Sequence, residues 1–503
     1  MTRLVINMSP IIGNSPRASH IIPGKLTYDF IHDPIKTLTY LTRQYGGISH
    51  FRLGLQKNMY FINNPDYIEQ ILISDHHHFQ KNKTLPPYES LLGEGLVTSE
   101  GEYHDSQRRL IQPIFNPKQI MTFGKVMIDH AIRTSLGWKD EEVLDIHQEM
   151  MQLTLGIICK SVLNYEIKAK AQEVGKALTA FHSSRSGGSG ILLLALLSIL
   201  RRVLHHVEES ESQKTDKALT TGGKVTVRLQ RSIGRVLDKI STSDKLADSR
   251  DAKMQLDSIV YGLIANRRTV EKGSEDSNNK DLLSRLIQAE AAGNMSDLQL
   301  RDEIMTIFVA GHETTANALT WTFYLLSQNP TIEEKLHKEV DSILDNGNAI
   351  PSVEDIPRLQ YTESIFRESL RLFPPIWSIR RNVKTDFRLG EYTIRTGSSI
   401  IMSPYVMHHD LRYYEEPERF NPDRWTKEFK NGLPRFSYFP FGGGARSCIG
   451  ESFAWMEGVL VIAYLAQKWV MRLIPDQIVN LDAGSVLRPK YGIKMKVNLR
   501  KRN

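Results

Sequence analysis

The sequence predicts a mainly α protein with small β-sheets, an α+β class, on three observations. Apolar residues recur at helical spacing through most of the middle of the chain, with prolines at the ends of several stretches. Segments that alternate like strands are confined to regions near the two ends. Between them LRDEIMTIFVAGHETTANALTWTFYLL has the length and apolar content of a long buried helix.

The elements follow in order. Residues 1–25 carry Pro10, Pro16 and Pro23 and no long apolar run, so they read as an irregular segment, neither a secretory signal nor a spanning helix. ISHFRLGL and NMYFIN form a β-hairpin around Gln56 and Lys57, and PDYIEQILI forms a short helix. TIEEKLHKEVDSIL is an amphipathic helix with Pro330 at its start, and YTESIFRESLRLF is another, stopped by Pro374 and Pro375. FRLG and EYTIRTGSSIIMSPY alternate as two or three short strands. ESFAWMEGVLVIAYLAQKW is a final helix and YGIKMKVNL a strand.

Residues 185–250 are compositionally odd, opening on RSGGSG, running through the apolar stretch 191–200 and continuing through polar segments. That stretch is too short to cross a hydrocarbon core of about 30 Å. Two readings stand: a buried helix, or a peripheral membrane contact through residues 191–204, since Arg201 and Arg202 follow the apolar run. EKGSEDSNNKD reads as a solvated loop. No internal repeat interrupts the chain, and one domain over residues 1–503 is expected, with 185–250 as an insertion.

The net charge of +7 suits nucleic acid, anionic lipid or an acidic protein. The absence of zinc-finger spacing and of a basic-aromatic stripe sets nucleic acid aside. Two cysteines imply no disulfide framework and point to a reducing, cytoplasmic setting. Cys159, in LTLGIICKSVL, reads as core.

Four constellations carry chemistry. The stretch FPFGGGARSCIGE places Phe441, Gly444, Arg446, Cys448 and Gly450 just before the final helix, where backbone N–H groups and the helix dipole favour a thiolate. Such a sulfur ligates iron or acts as a nucleophile. In the long apolar helix, Gly311, His312, Glu313, Thr314 and Thr315 conflict with helix propensity, which marks a functional site. Ala310 and Gly311 leave room for a flat ligand, and Glu313 beside Thr314 forms an acid–alcohol pair able to pass protons. Glu368 and Arg371 lie three apart on one helix face, and Arg419 in PERF completes a buried network. His104 and Arg108 lie four apart, which suits either an anionic carboxylate ligand or a wet basic face.

These motifs, in this order, resemble the cytochrome P450 superfamily of haem-thiolate monooxygenases, from about Ile48 to the last strand and with 185–250 as the main exception. The resemblance implies haem b (iron protoporphyrin IX) held between the long central helix and the cysteine loop, with Cys448 as its thiolate ligand. It implies Glu313 and Thr314 as the proton-delivering pair, and Glu368, Arg371 and Arg419 as a structural triad. It implies Phe441 beside the haem and His104, Arg108, Arg381 and Arg446 as partners of its propionates. His104 stands where many members carry Trp, a departure associated with soluble prokaryotic-type members. The pocket is expected from residues 85–97, Phe308, Ala310, Ile376, Trp377 and the turn at Ser485 and Val486, mainly apolar groups that suit a fatty acid, terpenoid or steroid-like substrate.

The implied activity is a monooxygenase that hydroxylates or epoxidises such a substrate with O2. Electrons come from a separate ferredoxin- or flavodoxin-type donor with its reductase. A haem-binding sensor and a peroxygenase- or isomerase-type protein are the alternatives, and neither needs the acid–alcohol pair. A cysteine hydrolase fails for want of a His and Asn or Asp pattern around Cys448. His76, His77 and His78 do not converge as metal ligands and read as surface histidines, as do His408 and His409.

Overall fold

The computed structural model of the protein describes residues 25–53, 57–81, 91–166, 174–175, 177, 244–272 and 281–501. The irregular start, the hairpin turn at Gln56, the apolar stretch 191–200 with Arg201 and Arg202, most of the polar loop before Asp281, and residues 85–90 of the expected pocket lie outside them. The chain divides into two compact units, Met1–Gly175 with Ile259–Asn503, and Lys176–Ser258. In the second, residues 244–258 are helical, as part of the helix Asp244–Lys272. The structural description that follows concerns the first unit.

Its strands are short. They are β1 (Ile48–Leu53), β2 (Lys57–Ile62), β3 (Phe79–Lys81), β4 (Val143–Asp145), β5 (Ile379–Val383), β6 (Phe387–Leu389), β7 (Tyr392–Ile394), β8 (Ser399–Met402), β9 (Trp469–Leu473), β10 (Leu481–Ala483), β11 (Leu487–Pro489) and β12 (Lys494–Leu499). The expected hairpin forms from β1 and β2, paired antiparallel from Ile48 with Ile62 to Leu53 with Lys57. A five-stranded sheet in the order β1-β2-β8-β5-β3 joins this hairpin to strands from far along the chain, with β2 and β8 parallel. A second sheet, β4-β12-β9, gathers three more. Alternation predicts strands, but these unions depend on the path of the helices between them.

The central helix, Asp297–Gln328, begins where Ser296 Oγ accepts the Gln299 N–H and ends before Asn329 and Pro330, whose ring opens the next helix. It packs on the helix Ile146–Leu163, which Asp145 caps. The approach is close: a Cβ at Gly311 would lie 2.7 Å from Ile158 Cδ1, so that glycine is required by helix packing. Thr154 Oγ1 donates to the His312 carbonyl across the same seam at 3.0 Å. The cysteine helix, Glu451–Lys468, and the helix Gln360–Leu372 pack on it too, the latter two meeting where Gly458 admits the Phe366 ring. Cys159 is fully buried in this core, and burial pushes its thiol far up, as its apolar context predicts.

Candidate active site

The cysteine loop is closed by its own backbone. The Cys448 N–H donates to the Phe441 carbonyl at 3.0 Å, and Gly442 and Gly444 take φ of +72° and +70°. A Cβ on Gly444 would sit 1.9 Å from the Leu72 carbonyl oxygen, and one on Gly443 2.5 Å from the Phe436 ring. Gly443 and Gly444 thus let the loop press against Phe436 and against the turn at residues 70–74. Phe441 is half-buried, its ring 6.0 Å from Trp455.

His408 supports the loop from below, its Nε2 accepting the Phe439 N–H at 3.0 Å. It is fully buried and His409 nearly so, and burial drives both imidazoles well below their usual range. The surface reading of this pair is thus wrong. The helix Pro404–His408 is too short to show which face is buried.

Cys448 is exposed on one side and enclosed by protein on the others. That enclosure pushes its thiol up to about 11, helped by Glu451 and opposed by the Gly450 N–H and Arg108. The N–H at the helix head favours the thiolate as expected, but desolvation outweighs it. Arg446 contributes little, because its Nη2 pairs with Glu100 Oε1 at 3.0 Å. The sulfur is a protonated thiol at neutral pH in the chain by itself, and a bound metal cation displaces such a proton.

Cationic groups gather around Arg446. Arg108, from the helix Gly101–Ile111, donates to the Ser447 carbonyl at 2.9 Å beside the cysteine. His104, one turn earlier, is buried and held neutral by that burial, with Nδ1 3.0 Å from Asp105 Oδ1. Arg381 on β5 stands opposite Lys81 on β3 in the sheet register. Burial and then Arg446 bring Arg381 down to about 10. Burial, Arg446 and Arg381 bring Lys81 down to about 7. Glu100 offsets part of this charge, also accepting the Lys81 N–H at 2.7 Å. Depressed cations packed this closely favour a ligand carrying carboxylates. Lys81 is absent from the sequence reading because only the pairing of β3 with β5 brings it there.

The central helix opens at one place. From Leu300 to Phe323 every residue is buried except Ala310, Gly311 and Thr314. Thr314 Oγ1 donates to the Ala310 carbonyl at 2.7 Å and stays exposed. Glu313, one residue earlier, points elsewhere: it is buried, with Oε1 4.0 Å from Arg488 Nη1 on β11. The residues expected to form the pocket divide likewise. Ala310 is exposed and Ile376 half-buried. Phe308, Trp377 and Val486 are buried. Trp377 packs among Phe30, Phe51 and Leu487 and donates Nε1–H to the Gly484 carbonyl at 2.9 Å. An open cysteine, an open helix face and an under-compensated cationic cluster together fit a flat, iron-bearing, dicarboxylate group such as haem.

The structural triad needs one change of member. Glu368 and Arg371 are fully buried and bidentate at 2.9 Å, and Arg371 also donates to the carbonyls of His408, Pro417 and Arg419. The third cation is Arg424, whose Nε donates to Glu368 Oε1 at 3.0 Å. The Arg419 side chain is 64% exposed and pairs with Glu416. PERF and PDRW stand five residues apart with the same pattern, so spacing alone does not choose between them.

Comparison with known proteins agrees with this geometry. A family profile described as Cytochrome P450 matches residues 24–497. Cyclooctatin synthase of Streptomyces melanosporofaciens is 32% identical over 452 residues, covering 89% of this chain and 86% of that protein. Cyclooctat-9-en-7-ol 5-monooxygenase of the same organism is 29% identical, covering 86% of this chain and 84% of that protein. The crystal structure of the cytochrome P450DA heme domain superposes with a TM-score of 0.76 at 23% identity, covering 98% of this chain and 99% of that one. With the cysteine loop, the buried Glu–Arg network and the opened central helix in place, the chain belongs to the cytochrome P450 family and is a monooxygenase of it.

Proposed function

We propose that this monooxygenase hydroxylates or epoxidises a terpenoid-like carbocycle. One atom of O2 enters a C–H or C=C bond, and two electrons and two protons reduce the other to water. The observation that carries the reading is the open Cys448 beside the cationic cluster. Haem b bound there supplies the oxygen-activating chemistry. Cys448 holds its iron, and His104, Arg108, Arg381, Arg446 and Lys81 hold its carboxylates. The Thr314 hydroxyl, free to rotate away from the Ala310 carbonyl, delivers a proton at the open helix face. Glu313 lies on the buried side, with Oε1 4.0 Å from Arg488 Nη1, and is read as the acid of the proton-delivering pair.

The substrate class is supported by the names of the two Streptomyces relatives, one of which denotes an unsaturated ring alcohol. Electrons come from a separate ferredoxin- or flavodoxin-type protein, supported by the net charge of +7. Turnover that is indifferent to ionic strength excludes such docking. Among the described residues no helix is long and apolar enough to cross a membrane. Peripheral contact through residues 191–204 is part of the proposal, as is one catalytic domain over 1–503. Liposome flotation unchanged by deleting residues 191–200 counts against the contact.

The central test is the ferrous carbon monoxide difference spectrum beside a Cys448→Ser control. A strongly red-shifted Soret band, lost in the control, is expected; its absence in the unmodified protein refutes the reading. Cyclic terpene alcohols and hydrocarbons are then expected to perturb the haem spectrum more tightly than fatty acids, and the reverse order refutes the substrate class.

A further inference from the structure

One arginine gathers three rings beside the cysteine loop. Arg367 lies in the helix Gln360–Leu372, one residue before Glu368. Its guanidinium carbon is 4.5 Å from the centre of the Trp455 ring, 5.6 Å from Trp425 and 5.7 Å from Tyr438. Its Nη2 lies 2.7 Å from Oε1 of Glu363, one turn earlier, an acid whose side chain is 41% exposed. Such an exposed pair contributes little, so the ring faces supply most of what holds the cation in place.

The three rings come from three separate segments. Trp425 is tied to the buried network, donating Nε1–H to Glu368 Oε2 at 2.9 Å. Tyr438 stands at the entrance of the cysteine loop, its ring 4.9 Å from Trp425 and stacked on His408 at 5.0 Å. Its hydroxyl donates to the Arg367 carbonyl at 3.1 Å. Trp455 stands at the exit, in the second turn of the helix Glu451–Lys468, and hydrogen-bonds Glu451 one turn earlier. Its ring lies at right angles to Phe366 at 5.3 Å and 6.0 Å from Phe441, whose carbonyl accepts the Cys448 N–H. Arg367 therefore meets the loop at both ends.

Packing alone does not call for a cation here. Trp455 is half-buried, and an apolar side chain of similar length would cover its ring without fixing its tilt, because the hydrophobic effect is non-directional. A guanidinium prefers the face of a ring, so it holds the plane of Trp455 and the side of it on which Phe441 rests. Phe441 is hydrogen-bonded to Cys448 through its backbone, so the tilt of Trp455 reaches the cysteine through one residue.

We propose that Arg367 is a positioning residue for the thiolate: through Tyr438 and Trp455 it clamps both ends of loop 439–450 and so keeps the Cys448 sulfur on the iron of the haem-loaded protein. The inference rests on the reading of Cys448 as the iron's ligand.

The test uses the haem-loaded protein in its ferrous carbon monoxide form. The rate at which the strongly red-shifted Soret band is lost in a fixed concentration of urea is measured beside the far-ultraviolet circular dichroism of the same sample. Arg367→Met keeps the reach of the side chain and removes the cation. It is expected to speed band loss about tenfold, or about 1.4 kcal/mol, the size of one partly desolvated cation–π contact, while the circular dichroism stays unchanged. Trp455→Leu is expected to do the same, and the double variant to be no faster than either single one, because both break one contact. Arg367→Lys keeps a cation for the rings and is expected to stay within threefold of the unmodified protein.

An unchanged rate in Arg367→Met overturns the proposal. Helix loss that keeps pace with band loss also overturns it, since Arg367 is then a general support of the fold. Multiplied rates in the double variant overturn the route through Trp455. If Arg367→Met yields no folded protein, Trp455→Leu carries the test, and an unchanged rate there has the same consequence. An unmodified protein that never shows the red-shifted band overturns the reading of Cys448 itself, a failure visible before any substitution is made.

Discussion

Replacing Arg424 by Ala separates the buried network from its near-copy in sequence. Glu368 has no solvent exposure and accepts five hydrogen bonds: two from Arg371, and one each from Arg424 Nε, the Asn421 N–H and Trp425 Nε1. Arg424→Ala removes a charge-assisted bond at 3.0 Å and the Arg424 bond to the Glu415 carbonyl, also at 3.0 Å. A charged hydrogen bond at a buried acceptor contributes about 1.5–3 kcal/mol. Removing one partner of a buried ion pair costs about 3–5 kcal/mol. Arg371 stays bidentate, so the lower end applies, about 3 kcal/mol or roughly a 150-fold change in the folded-to-unfolded ratio. Arg419→Ala removes an exposed pair and stays within about 0.5 kcal/mol. Urea unfolding followed by far-ultraviolet circular dichroism, with haem content after purification, measures both. Equal midpoints for the two variants, or a larger loss from Arg419→Ala, refute the assignment of Arg424 to the network.

Gly444→Ala forces a side chain to φ +70° against the Leu72 carbonyl, which costs at least about 2 kcal/mol and should abolish haem loading; Gly432→Ala, with open space around it, serves as the neutral control. Lys81 falls from 10.5 to about 7 in the folded chain, so between those values the unfolded state binds more protons and the haem-free protein grows more stable as pH rises. Lys81→Met should flatten urea midpoints across pH 7 to 9.5 and raise the value at pH 7; a slope that survives the substitution removes Lys81 as its cause. Thr314→Ala should leave the haem spectrum intact and lower product per electron consumed by about 100-fold, the excess appearing as peroxide. Full coupling in that variant assigns proton delivery elsewhere.

Much of the site was legible because its signals are local. The glycine-rich run ending at Cys448, the i, i+3 spacing of Glu368 and Arg371, and the polar residues inside an apolar helix each lie within one or two turns of backbone. Errors arose where a side chain's role is set by its packing neighbours. Trp377 follows a proline pair near the expected pocket, yet it packs among Phe30, Phe51 and Leu487. Gly311 is small in order to meet Ile158, and Gly444 in order to meet Leu72. No spacing in the sequence distinguishes a glycine made for a ligand from one made for a neighbouring helix.

The sequence by itself determined the class of protein, the first hairpin, the long central helix, the helices after it that are bounded by prolines, and the cysteine at the head of the last long helix. Those features rest on periodicity, caps and motif spacing, which act over a few residues. Only the tertiary structure decided that Arg424 rather than Arg419 completes the buried network and that Lys81 joins the cationic cluster. Each of these joins groups brought together by sheet register or helix packing, and desolvation at those meetings sets the charge that every group carries.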